Sequence, residues 1–106
     1  MRDPQIAAYL EIVRLKEFAM GSPVTFCFRC PDAWSVTLVG DFNDWNVTAH
    51  PMVCDSLLKA WSVTLTLEPG RYEYKFFVDG REWWNDPDAR KVPNVWGSEN
   101  SYLDVE

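Results

Sequence analysis

Tryptophans placed among turn-forming residues are the feature of this sequence that points most directly to chemistry. Trp45 closes the run Gly-Asp-Phe-Asn-Asp-Trp, Trp83 and Trp84 lead into Asn-Asp-Pro, and Trp96 precedes Gly-Ser-Glu-Asn. Side chains in such segments have few regular neighbours to bury them, so they are candidate contact residues. An indole face is apolar and can stack on the C–H face of a pyranose. The tryptophans therefore predict a contact surface for a neutral ligand with flat apolar faces and hydroxyl edges.

Hydroxyl edges need hydrogen-bonding groups beside the rings, and Lys75, Ser98 and Asn100 can supply them. Lys75 alternates with the aromatic row 72, 74 and 76, so we expect it to point away from the core. Ser98 and Asn100 follow Trp96 in the same loop. On these residues alone an alternative stays open, in which Lys75 is a solvated surface lysine and Trp45 only fills a turn.

Three cysteines and the single histidine have the residue count of a zinc site: Cys27, Cys30, His50 and Cys54. In an alternating strand Cys27 and Cys30 face opposite sides, and no glycine between them marks a turn that would bring them together. We expect reduced thiols that behave as small apolar residues, and neither a metal nor a cofactor.

Paired carboxylates can hydrolyse glycosidic bonds, and the chain is rich in aspartates: Asp41, Asp44, Asp79, Asp86 and Asp88. Each lies in a segment where turn chemistry alone favours aspartate, and a sandwich of this length offers little depth for a catalytic cleft. No serine nucleophile accompanies the histidine. These residues therefore predict a binding protein and not an enzyme.

Length and charge narrow the classes of partner. A chain of 106 residues has room for a single core, and its net charge of −6 with a pI near 4.7 disfavours nucleic acid and anionic membranes. Neither a secretory leader nor a membrane-spanning run is visible, which predicts a cytoplasmic protein.

Two units must position the candidate residues. Residues 1–21 predict one amphipathic helix, because Asp3-Pro4 is typical of a helix start, Gly21 of a stop, and apolar residues recur between them at helical spacing. Residues 22–106 show a period of two instead, which predicts an antiparallel β-sandwich. The predicted strands are 24–29, 35–39, 61–67, 71–78 and 102–105, with Trp61 in the core and a hairpin turn at Asp79-Gly80.

Four segments in this order, 40–45, 69–80, 83–87 and 94–100, resemble the family 48 carbohydrate-binding modules. The resemblance is strongest to the glycogen-binding domain of AMP-activated protein kinase beta subunits and covers about residues 23–106. It implies an immunoglobulin-like sandwich that binds α-1,4-linked glucans such as glycogen and starch without catalysis.

The resemblance also implies which residues bind the sugar: Trp45, Lys75, Trp83, Trp96, Ser98 and Asn100. Trp96 stands where the family has a leucine. One extra residue lies between Gly80 and Trp83, so Trp84 is an alternative to Trp83 as the stacking residue.

The prediction is therefore non-catalytic binding of an α-glucan by tryptophan stacking and polar contacts to hydroxyls. The alternative is a protein–protein interaction module that uses the sandwich surface or the N-terminal helix. Expected partners beyond the glucan are an α-glucan-active enzyme or a second copy of the chain paired through that helix.

Overall fold

The computed structural model describes residues 21–106, so the helix predicted before them lies outside the described residues. The described chain forms eight strands and one short 3-10 turn: β1 (Ser22–Arg29), β2 (Val36–Gly40), η1 (Asp41–Asn43), β3 (Val53–Asp55), β4 (Ala60–Leu67), β5 (Gly70–Val78), β6 (Glu82–Trp84), β7 (Arg90–Pro93) and β8 (Glu99–Val105). Within this region no helix is long and apolar enough to cross a membrane.

The strands form two sheets in which every pair is antiparallel. The smaller sheet has the order β1-β4-β3. The larger sheet has the order β2-β5-β8-β7, and β6 pairs with the end of β5 that β8 leaves free. The prediction of an all-β antiparallel sandwich is confirmed for the described residues.

Aromatic side chains from both sheets meet in the core. Phe28 of the smaller sheet stacks on Phe76 of the larger one with ring centroids 4.4 Å apart, and Phe26 meets Tyr74 edge-on at 5.0 Å. Such offset and edge-on pairs are the favoured geometries of aromatic contacts. Trp61 is buried in this core, as predicted, and its indole N–H donates to the Cys30 carbonyl at 3.2 Å.

The five long strands lie where the alternation predicted them, except that β8 begins at Glu99, three residues earlier than predicted, so Asn100 lies on a strand and not in the loop. β3, β6 and β7 were missed. Each missed strand has three or four residues, none of them buried, so no buried row exists for a period of two to show. The hairpin predicted at Asp79-Gly80 is confirmed. Both residues have positive φ, 55° and 66°, and the Arg81 N–H donates to the Val78 carbonyl at 3.1 Å, so they are the central residues of a primed turn. Arg81 is one further residue before β6, because Val78 pairs with Glu82.

The three cysteines lie at different places in the fold. Cys27 is exposed on the outward side of β1, Cys54 is exposed on β3, and Cys30 follows the end of β1. Burial raises the pKa of the Cys30 thiol, with further increases from Asp79 and Asp32 nearby, which favours its protonated form. Between residues 21 and 106 no three metal-ligating side chains gather.

Candidate functional site

The outward side of β5 is the base of the candidate site. Tyr74, Phe76 and Val78 are buried, so the alternating residues Glu73 and Lys75 point outward, as the alternation predicted for Lys75. The lysine and the neighbouring carboxylate thus stand on the solvent face of the larger sheet.

Trp83 lies on this same outward side. It pairs with Phe77 across the β5–β6 hairpin, and the two ring centroids are 4.4 Å apart with the planes inclined by 35°. Phe77 thereby supports the back of the indole, while 46% of the residue remains exposed. A flat aromatic face held in this way is available for stacking.

Trp84 points to the other side of β6. It pairs with the buried Phe76, its ring centroid lies 6.3 Å from that of Phe28, and its indole N–H donates to Glu82 at 3.2 Å. Its exposure of 48% is nearly that of Trp83, so exposure does not separate the two tryptophans. The two tryptophans differ in the face of β6 from which they project, because successive residues of a strand alternate sides.

Trp45 reaches the outward face through the tight segment that follows β2. Asp44 and Trp45 both have positive φ, 55° and 58°, so the chain folds back on itself there. The Trp45 indole N–H donates to Asp41 Oδ1 at 3.0 Å, while the Glu73 backbone N–H donates to Asp41 Oδ2 at 2.7 Å. A single carboxylate therefore fixes the Trp45 ring to β5.

Gly40 permits this close approach. A Cβ at this position would lie 2.5 Å from the Glu73 carbonyl oxygen and 2.8 Å from Tyr74 Cβ, distances that real Cβ atoms do not adopt. Its φ of −175° is ordinary extended backbone, so space and not conformation demands glycine. Asn43 adds a brace, because its side chain accepts from the Gly40 N–H and donates to the Leu38 carbonyl, both at 3.1 Å.

Trp96 lies at the tip of the loop between β7 and β8, and Asn94 organises that loop. Asn94 Oδ1 accepts from the backbone N–H groups of Trp96 at 2.9 Å and Ser98 at 3.1 Å. The Asn94 side-chain amide donates to Ser98 Oγ and to Asn100 Oδ1, both at 2.9 Å. With 87% of Trp96 exposed, the loop presents its indole to solvent.

The polar groups of the site are linked to one another. The Lys75 ammonium lies 3.5 Å from Ser98 Oγ, and the Asn100 amide donates to Glu73 Oε1 at 3.1 Å. Since Asn94 donates to Asn100 Oδ1, both ends of the Asn100 amide are held. Its second N–H and second oxygen lone pair remain for a ligand.

These segments enclose one open groove of about 1030 Å³ on the outer face of the larger sheet. Six of the seven residues predicted from the sequence line it, and Trp84 does not: Trp45, Lys75, Trp83, Trp96, Ser98 and Asn100. The groove is also lined by Asp41, Glu73, Pro93, Asn94 and Val95.

Sequence reasoning missed Asn94, Asp41 and Glu73 as parts of the site. Asn94 had a detectable signal, because asparagine two residues before the tip of a Gly-containing loop is typical of an Asx turn. Glu73 also had one, since it shares the outward parity of Lys75. Asp41 was considered only as a turn residue or a hydrolytic carboxylate.

Two of the other loop aspartates, Asp79 and Asp86, hold loops in place. Asp79 Oδ1 accepts from the backbone N–H groups of Trp34 at 2.7 Å and Ser35 at 3.0 Å. Asp86 accepts from the Tyr74 hydroxyl at 2.7 Å, and burial together with this carboxylate raises the pKa of the Tyr74 phenol. Tyr74 thus remains a protonated donor that ties the segment after β6 to the sheet.

A sandwich that presents indole faces beside hydroxyl-bonding groups in an open groove has the make-up of a carbohydrate-binding module. Residues 22–106 match the family described as the glycogen recognition site of AMP-activated protein kinase. The chain belongs to this family of non-catalytic carbohydrate-binding modules, which confirms the resemblance stated from its motifs.

Similar proteins hold the same region within longer chains. The chain is 44% identical over 73 residues to Protein FLOURY ENDOSPERM 6, chloroplastic, of Oryza sativa subsp. japonica, a match that covers 69% of this chain and 13% of that protein. It is 36% identical over 72 residues to the 1,4-alpha-glucan branching enzyme GlgB of Thiobacillus denitrificans, a match that covers 63% of this chain and 10% of that enzyme.

Among solved structures, ligand-free PulA from Klebsiella pneumoniae matches with a TM-score of 0.57 and 32% sequence identity, over 76% of this chain and 8% of that chain. The chain thus spans 13% or less of each of these relatives.

The division at residues 21 and 22 and the cytoplasmic location stay predictions.

Proposed function

We propose that this protein binds α-1,4-linked glucans such as glycogen or starch in the groove, without acting on them chemically. Trp45 and Trp83 stack on successive glucose rings, and Trp96 extends the stacking surface at the loop edge. Lys75, Ser98 and Asn100 bond the hydroxyls. One observation carries the proposal, namely that these six side chains come from four separate segments and line one groove.

The supports behind the indoles favour stacking over a purely structural role. Phe77 backs Trp83, and Asp41 holds the Trp45 ring, so little side-chain freedom is lost when a sugar binds. Trp83 is the stacking residue of the proposal, and not Trp84, because only the side of β6 that carries Trp83 faces the groove.

Two or three stacked rings each contribute roughly 1 to 3 kcal/mol, while association and ordering of the glucan cost several kcal/mol. The expected dissociation constant for one chain segment lies between about 1 μM and 1 mM. Glycogen presents many chain ends, so two tethered modules would gain affinity by avidity.

Retardation in gels that contain glycogen, together with calorimetry on β-cyclodextrin, tests the proposal. Parent protein should be retarded, and Trp45→Ala should lose most of the retardation. Trp34→Ala is the matched control, because Trp34 is 80% exposed and lies outside the groove. A parent protein that migrates alike with and without glycogen would contradict the proposal.

A protein partner is the second candidate function. Three large apolar side chains are strongly exposed at the end of the sandwich where β1 ends and β4 begins: Trp34 at 80%, Leu57 at 92% and Leu58 at 65%. Exposed apolar groups at one end of a domain favour contact with another protein. Sedimentation velocity of the parent and of Leu57→Ser tests self-association there, and a parent that stays monomeric argues against it.

An α-glucan-active enzyme fits the proposal as a partner. GlgB, a relative at 36% identity, is by name a 1,4-alpha-glucan branching enzyme and contains the same region in a longer chain. A module of this family that holds the glucan near such an enzyme raises the local substrate concentration.

A further inference from the structure

The charges in the groove are unevenly distributed. Two carboxylates, Asp41 and Glu73, and one ammonium, Lys75, line it. The whole chain carries a formal net charge of −6. A ligand in the groove therefore meets an excess of negative charge both locally and at longer range.

The carboxylates are held in place beside the stacking residues. Asp41 accepts with both oxygens, from the Trp45 indole and from the Glu73 backbone N–H. Glu73 Oε1 accepts from the Asn100 amide at 3.1 Å. All three donors are neutral, so these bonds fix the positions of the carboxylates and add no positive charge beside them.

Cations do not balance this charge. Among residues 21–106, Lys75 is the one cation lining the groove, and it lies next to Ser98. Arg71, the next basic residue on the outward side of β5, is engaged elsewhere. Its guanidinium donates to both oxygens of Asp104, at 2.8 and 3.2 Å, and this bond holds the pKa of the Asp104 carboxyl below its usual range.

We propose that the groove selects unphosphorylated glucan, and that Glu73 and Asp41 exclude glucose units that carry a phosphate monoester. This inference rests on the proposed glucan binding. A phosphate monoester carries a charge of about −1.5 to −2 at neutral pH. Placed among the indoles it would lie near both carboxylates, whereas a neutral glucose unit at the same position is not repelled.

Calorimetry on three short ligands measures this selectivity. The probes are maltopentaose, maltopentaose with one phosphate monoester on O6 of its central glucose, and maltopentaose with a methyl ether at that oxygen. We expect the phosphorylated ligand to bind about tenfold more weakly than maltopentaose at about 10 mM salt, where the Debye length is about 30 Å. At about 1 M salt, where it is about 3 Å, the ratio should fall to roughly two.

Charge variants assign the effect to the groove. Glu73→Gln keeps the Oε1 acceptor for Asn100 and removes one charge, so the affinity ratio between the two ligands should fall about threefold at low salt. Glu68→Gln is the matched control. Glu68 is exposed between β4 and β5, outside the groove, and its substitution removes the same charge without changing the ratio.

The outcomes separate the two proposals. If maltopentaose itself does not bind, the proposed function is wrong. If maltopentaose binds and its phosphate ester binds equally well at low salt, only the charge selection is wrong. If the methyl ether loses as much affinity as the phosphate ester, bulk and not charge excludes the substituent, which also overturns the inference.

Discussion

The two outer faces of the sandwich are built by the same strand alternation but present different surfaces. On β1 and β4 of the smaller sheet the outward side chains other than Arg29 are short, and Thr25 and Thr64 bond each other across the two strands at 2.8 Å. On the larger sheet Lys75 and Glu73 point outward just as regularly, yet there they line a groove. Alternation thus provides an outward face, and the segments folded onto that face make a site.

Three additions distinguish the larger sheet: the segment 40–45, strand β6 and the loop 94–98. A different interaction fixes each of them. The close approach at Gly40 fixes the segment 40–45, the ring contact between Trp83 and Phe77 fixes β6, and the Asn94 side chain fixes the loop 94–98. Substitutions that remove one of these interactions at a time show how much each contributes to stability or to glucan affinity.

Gly40→Ala should have the largest effect. The new Cβ would overlap the Glu73 carbonyl oxygen and Tyr74, so we expect the free energy of unfolding to fall by about 2 to 3 kcal/mol. Gly80→Ala is the matched control. That position has open space but a φ of 66°, which costs about 1 kcal/mol. Urea unfolding measures both variants, and equal losses would contradict the close-approach argument.

Trp83→Ala and Trp84→Ala compare the two sides of β6 directly. Loss of the ring supported by Phe77 should weaken binding of β-cyclodextrin roughly 10- to 50-fold. Loss of the ring beside Phe28 should change affinity less than about twofold, because that side does not line the groove. Calorimetry on both folded variants measures this difference, and the reverse order would place the sugar on the Trp84 side.

Asn94→Ala should have an intermediate effect. It removes the acceptor of two backbone N–H groups and the donor to Ser98 and Asn100, so the loop must be ordered on binding. We expect about fivefold weaker glucan binding, close to 1 kcal/mol.

Asn46→Ala provides the control for the Asn94 substitution. Asn46 also organises a local turn, by accepting from Thr48, but it lies outside the groove. Its affinity should match that of the parent. If the two asparagine variants bind alike, Asn94 does not order the site.

Long strands with a buried side are predictable from the sequence, whereas short exposed strands are not. Rows such as Trp61–Leu67 were visible because a buried side must repeat every second residue. β6 was invisible, because its three residues are exposed and its position depends on pairing with β5. A contact of this kind is tertiary, so no local pattern encodes it.

Some residues of the site are also predictable from the sequence, whereas others depend on tertiary contacts. The outward direction of Lys75 follows from strand parity, and six groove residues were named from their types and placement together with the family resemblance. The choice between Trp83 and Trp84 depended on which of them pairs with Phe77, and one residue of register reverses that choice. Asp41 joins the site only because the fold brings β5 beside the segment after β2.

The smallest effects should come from removing one hydroxyl on each outer face. Ser98→Ala deletes a group that lies 2.9 Å from the Asn94 amide and 3.5 Å from the Lys75 ammonium, so glucan affinity should fall about threefold. Thr64→Val breaks the hydrogen bond to Thr25, but water replaces the lost partner at this exposed position. The free energy of unfolding should therefore change by less than about 0.5 kcal/mol. Its affinity should equal that of the parent. If Thr64→Val weakened glucan binding as much as Ser98→Ala, the smaller sheet would also contact the sugar, and the contrast between the two faces would not hold.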